Sequence, residues 1–167
     1  SAAWINNNKL IIAWANKDSD TIYHRILESD LTSEMEDAPV SNSTGSNNEN
    51  PCVVATKSCY SVVWKSDDGI YARSYTSSGS AIAGPIQISS NRDSGPPQSV
   101  QLSNEAIAIT WIEPDNNMAV AKIYSDATFS NGPLTILLNQ SSKPNHNDTT
   151  VNIVPFDGSF FVTWLSD

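Results

Sequence analysis

Few residues of this 167-residue chain are of types that do chemistry. Carboxylates gather in short polar turns: Asp18 and Asp20, Asp67 and Asp68, Glu113 and Asp115. Oxygen donors collected on one rim would suit Ca²⁺, which takes about six to eight oxygen ligands. No single turn has the alternating ligand spacing of a calcium loop, and Asp in such places commonly makes Asx turns. Calcium at Asp18, Asp20, Asp67, Asp68 and Asp115 is thus the one candidate cofactor, and none other is expected. His24 and His146 stand far apart in the chain without a third partner, which is poor material for zinc. Glycoside hydrolysis needs two carboxylates placed across a sugar. Nothing here marks such a pair. No catalytic constellation emerges, and the chain is expected not to be an enzyme.

Two cysteines, Cys52 and Cys59, are close in sequence, and an even, close pair suggests a disulfide. Three sequons begin at Asn42, Asn139 and Asn147. Each would be a surface glycosylation site in a secreted protein. Together with the cysteine pair they point to an extracellular or cell-surface location.

The net charge of −9 and pI of about 4.4 speak against nucleic acid, whose phosphates need a basic surface. No run approaches the length of a membrane-spanning helix. The sequence opens at Ser1, as expected of a processed N-terminus or of a piece of a longer chain.

These residues are positioned by a recurring element, a short apolar run ending in tryptophan. It occurs as Leu10-Ile11-Ile12-Ala13-Trp14, Tyr60-Ser61-Val62-Val63-Trp64, Ile107-Ala108-Ile109-Thr110-Trp111 and Phe160-Phe161-Val162-Thr163-Trp164. The intervals of 50, 47 and 53 residues mark a repeat architecture. The runs are short, rich in β-branched and aromatic residues, and separated by Asn, Asp, Gly or Pro, which predicts strands. Only residues 28–36 could form a helical turn, within an acidic, irregular stretch. The expectation is one β-repeat domain over residues 1–167. Its units are about 1–48, 49–95, 96–147 and an incomplete 148–167.

Each tryptophan run is apolar on both faces. Leu10, Ile12 and Trp14 share one face, while Ile11 and Ala13 lie on the other, smaller one. A strand on the outside of a sandwich would alternate with polar residues. Apolar character on both faces requires sheets on both sides, as in four-stranded blades stacked around an axis. The predicted fold is all-β and β-propeller-like, with three four-stranded blades and a half blade. The repeat core is Trp14, Trp64, Trp111 and Trp164. A third strand in each full unit carries a basic residue at mid-strand: Arg25, Arg73 and Lys122. An alkyl stem lying on apolar neighbours accounts for that recurrence.

The stretch Ser61-Val62-Val63-Trp64-Lys65-Ser66-Asp67-Asp68-Gly69-Ile70-Tyr71-Ala72-Arg73-Ser74-Tyr75, followed by Gly79 and Ile82-Ala83-Gly84, resembles a known repeat. Such Trp-containing, propeller-blade-like repeats occur in large secreted bacterial and protist surface proteins, often adhesins with RTX-type calcium repeats. The resemblance implies architecture and an extracellular setting, and the family has no common catalytic residues. The first unit departs from it by lacking the Gly turn, and the third by having Val120 for the strand's Tyr. The turn at residues 66–69 faintly resembles the Asp-box of sialidase propellers, but the closing aromatic is missing. Only three arginines are present, too few and too dispersed for a sialidase cluster.

The function expected is an extracellular structural or adhesive module that assembles with further blades of a longer parent chain or with neighbouring subunits, such as copies of itself, which repeated head to tail would make a filament. The alternative is a carbohydrate-binding or glycan-processing propeller. A half blade leaves an unpaired strand edge, which is a template for another strand.

Overall fold

Alternating β-branched and aromatic residues form strands here because their side chains pack on a pleated surface, and Asn, Asp and Gly close the turns between them. The computed structural model describes residues 1–6, 8–41, 46–92, 94–102, 105–113, 118–138 and 150–165. It contains β1 (Ala2–Ile5), β2 (Lys9–Asn16), β3 (Thr21–Glu28) and β4 (Ser33–Pro39) in a first sheet. A second sheet holds β5 (Glu49–Ala55), β6 (Cys59–Ser66), β7 (Gly69–Thr76) and β8 (Ile86–Ser89). A third holds β9 (Gln98–Gln101), β10 (Ile107–Glu113), β11 (Met118–Tyr124) and β12 (Leu134–Leu137). The last pair is β13 (Thr150–Phe156) and β14 (Ser159–Leu165). Every pairing is antiparallel between neighbours in sequence, so each four-stranded sheet is a meander of the propeller-blade type.

Two turns show how the sequence sets this register. Asp157 and Gly158 both have positive φ, 42° and 73°, and join β13 to β14 in the two-residue form that matches strand twist. Gly69 opens β7 at φ +139°, and an added Cβ would lie 1.9 Å from the Ser89 carbonyl oxygen of β8. Only glycine allows that approach.

The acidic stretch expected to be irregular forms β4. Its backbone pairs with β3 through His24–Ala38, Ile26–Met35 and Leu27–Ser33, with register shifts between them. As an edge strand it keeps its acids in solvent, where Glu34 meets Lys9 and Asp37 meets Arg25. Edge pairing and bulges override a local pattern that carries no clear period.

The sheets stack in chain order. Strands β1 and β5, β5 and β9, and β9 and β13 are neighbours, so the first strand of each unit lines the inner side. The tryptophan face of each sheet lies on the smaller face of the sheet before it. Tyr60, Val62 and Trp64 pack with Ile5, Ile11, Ala13, Ile22 and Ile26. Ile107, Ile109 and Trp111 pack with Val54, Val63, Ile70, Ala72 and Ile88. Val151 and Val162 pack with Ile112 and Ala119. The core is therefore three inter-sheet seams. Each fully buried aliphatic side chain in them contributes about 1.5–3 kcal/mol.

Candidate functional site

The seams are tied by polar groups as well as by apolar packing. Arg73, mid-strand on β7, donates from Nη1 to the carbonyl of Val40 in the preceding unit across 3.2 Å. Lys122, at the matching position of β11, donates from Nζ to the carbonyl of Ile88. Both cations also lie over rings, Arg73 over Tyr75 at 5.6 Å and Lys122 over Trp111 at 5.5 Å. In the second and third units the recurring basic residue is thus more than a stem on apolar neighbours: its charged head bridges two sheets. Partial burial lowers the Lys122 pKa, and Glu113 opposes that shift.

The two acceptors hold one position in the repeat. Tyr23 pairs with Pro39, Tyr71 with Gln87 and Val120 with Leu137. The next residues are Val40, Ile88 and Leu138. The amide of Val40 donates to Ile22, and that of Leu138 donates to Ala119, the equivalent residue of its own unit. Arg25, the first copy of the basic residue, pairs instead with Asp37 of its own sheet at 2.6 Å.

The tryptophan indoles are tied across the seams too. Trp64 Nε1 donates to Asn48, whose amide nitrogens donate in turn to Asp20 of the first unit. Trp111 Nε1 donates to Glu113, which also accepts from Ser89 and Asn91 of the second unit. Trp64 and Trp111 are fully buried. Trp14 is half-buried, and Trp164 is 38% exposed.

A third device sits inside the first seam. His24 on β3 is buried and its Nδ1 pairs with the Tyr60 hydroxyl at 2.8 Å. Its ring lies 4.3 Å from that of Tyr75. Burial, and secondarily the nearby Arg73 charge, push the His24 pKa down to about 4. Burial likewise raises the phenols of Tyr60 and Tyr75, the latter to about 12.

The acidic turns have structural partners. Asp20 accepts from the amides of Asn47 and Asn48. Asp67 accepts from Ser46 and Asn47, which holds its carboxyl below the usual range. Asp68 accepts from the Tyr71 hydroxyl. Asp18 stays in an Asx turn closed by Asn16. Asp20 and Asp67 share one cleft of about 580 Å³ with Lys17, Glu49 and Lys65. Among the described residues no group of three or more His, Cys, Asp or Glu converges as a metal site. Asp115 and the sequon residues Asn42, Asn139 and Asn147 lie outside the described residues.

The cysteine pairing expected from the sequence is corrected: both thiols are free and buried. Cys52 faces Val63 in the β5–β6 register, four residues from Cys59 along β6. At about 3.3 Å per residue the two are separated by about 13 Å, beyond the about 7 Å limit for a disulfide. Cys52 instead accepts from Ser99 of the third unit, and Cys59 pairs with Thr56. Burial pushes the Cys52 thiol up to about 12.

The two ends of the stack differ from its seams. On the first sheet the outward face carries Trp14 and Tyr23, stacked at 6.1 Å, with Trp4 49% exposed. On the last pair, Val154, Phe156, Phe161 and Leu165 are each more than half exposed. Phe156 and Phe161 touch each other with centroids 5.1 Å apart. The sequence had marked the tryptophan strands as core and gave no hint of Asn48 or Glu113 as indole acceptors, because their role depends on the neighbouring unit. No protein-family model and no curated protein matches the chain.

Proposed function

We propose that the chain is an extracellular structural or adhesive module that assembles by stacking further blades on its two end faces, with copies of itself as the partner. The observation that carries this reading is the apolar end face on β13 and β14, where Phe156 and Phe161 are 59% and 60% exposed. It is the counterpart of the faces that Trp64 and Trp111 cover inside the molecule. Isolated exposed apolar residues are ordinary, but a contiguous patch of this kind is a mark of an interaction surface. The opposite end presents a tryptophan face, so the two ends are the unlike halves of one repeated contact. Such a heterologous contact generates a ring or an open filament.

The extracellular part of the reading is supported by the three sequons and by the resemblance to secreted surface repeats. Sedimentation across a concentration series tests the proposed assembly. The native chain is expected to gain mass as concentration rises, and Phe161→Glu is expected to stay a monomer. A native chain that remains monomeric throughout would contradict the proposal.

A further inference from the structure

We infer that the edge of β14 left unpaired among the described residues is a docking site for a β-hairpin of the β7–β8 type, whose first strand carries a basic residue opposite Val162 and delivers its cation to the carbonyl of Leu138. The inference rests on the assembly reading and deepens it by naming the chemistry of one partner segment.

Among the described residues β14 pairs only with β13, whereas β2, β6 and β10 each pair on both sides. In the complete sheets the strand on that second side has a fixed register. Trp14 faces Tyr23, Trp64 faces Tyr71 and Trp111 faces Val120. Two residues further, Ile12 faces Arg25, Val62 faces Arg73 and Ile109 faces Lys122. The same register on β14 sets an apolar or aromatic residue opposite Trp164 and a basic residue opposite Val162. That basic residue shares the tryptophan face, which turns toward the third sheet. Arg73 and Lys122 use this placement to reach Val40 and Ile88. Leu138 is the third member of that acceptor series. The exposure of Trp164 and Leu134, at 38% and 63%, marks the apolar surface such a strand would cover, since Leu134 pairs with Ile123 and Ile123 with Ala108 on the face of the third sheet turned toward β13 and β14. Added strands gain affinity from the main-chain ladder and specificity from alternate side chains.

The test uses the full chain and a synthetic probe spanning residues 69–90, which contains no tryptophan. Saturable binding with a blue shift of tryptophan emission is expected. A benzophenone in place of Tyr71 of the probe should cross-link to residues 150–165. The Arg73→Glu probe should bind at least tenfold more weakly, since a charge-assisted bond is lost. No saturable binding, equal binding of the Arg73→Glu probe, or cross-links confined elsewhere would overturn the inference. Self-association by sedimentation separates the two ideas. A chain that assembles but ignores the probe keeps the assembly reading and loses this one. A chain that binds the probe but never assembles does the reverse.

Discussion

The guanidinium of Arg73 and the carbonyl of Val40 meet across 3.2 Å, joining the third strand of one sheet to the segment that follows the last strand of the sheet before it. Lys122 repeats the contact one unit later on Ile88. Chain connectivity alone would leave successive sheets joined by a loop. These bonds fix how far each sheet slides on its neighbour, because the donor sits mid-strand and the acceptor is a single backbone atom.

Replacing Arg73 by Met keeps most of the stem and removes the donor. Urea denaturation should show a loss of about 1.5–3 kcal/mol, the range for a hydrogen bond to a charged group. Arg73→Lys should recover part of it, since Lys122 performs the same task natively. An Arg73→Met protein as stable as the native one would remove the bond from the account of the seam.

Acid should loosen the first seam through His24. Its folded pKa of about 4 lies below its unfolded value of about 6.5, so the fold favours the neutral ring. Stability is complete above pH 6.5 and is lost as pH falls toward 4, where the unfolded chain binds the proton and the folded one does not. The contribution is about 3 kcal/mol at full extent. Thermal melts at pH 7 and 4.5 should show that loss, and His24→Gln should flatten its histidine part. An unchanged pH profile in His24→Gln would refute the assignment.

The tryptophans should differ sharply despite their equivalent places in the repeat. Trp64→Ala removes a fully buried ring and an indole donor, and is expected to cost about 3–5 kcal/mol. Trp164→Ala, at a 38% exposed site, should cost less than about 2 kcal/mol in the isolated chain. Chemical denaturation of the two variants makes the comparison. Equal costs would mean that Trp164 is covered in solution.

Free, buried thiols predict slow chemistry at Cys52 and Cys59. Two thiols per chain should react with a disulfide reagent in denaturant and almost none in the native protein, and a reductant should leave the melting temperature unchanged. A native protein with no titratable thiol after denaturation without reductant would restore the disulfide.

Much of the fold was legible because both signals that encode it are local. The double-sided apolar runs ending at Trp14, Trp64, Trp111 and Trp164 name the second strand of each unit, and the Asp157–Gly158 pair names its turn. Strand β4 was hidden, since Glu34, Glu36 and Asp37 owe their extended form to pairing with β3. Proximity of Cys52 and Cys59 in sequence suggested a bond that the strand register forbids. The seam contacts were only half readable. The recurrence of Arg25, Arg73 and Lys122 is visible in the chain, but their acceptors are backbone atoms of another unit. His24 looked like an isolated histidine because Tyr60 and Tyr75 reach it from a different sheet.

A reconstruction of the assembled particle tests the central claim most directly. The account predicts a further sheet lying at about 10 Å over the face of Val154, Phe156 and Phe161, the spacing of stacked sheets. An assembled particle in which Phe161 still faces open solvent would contradict it.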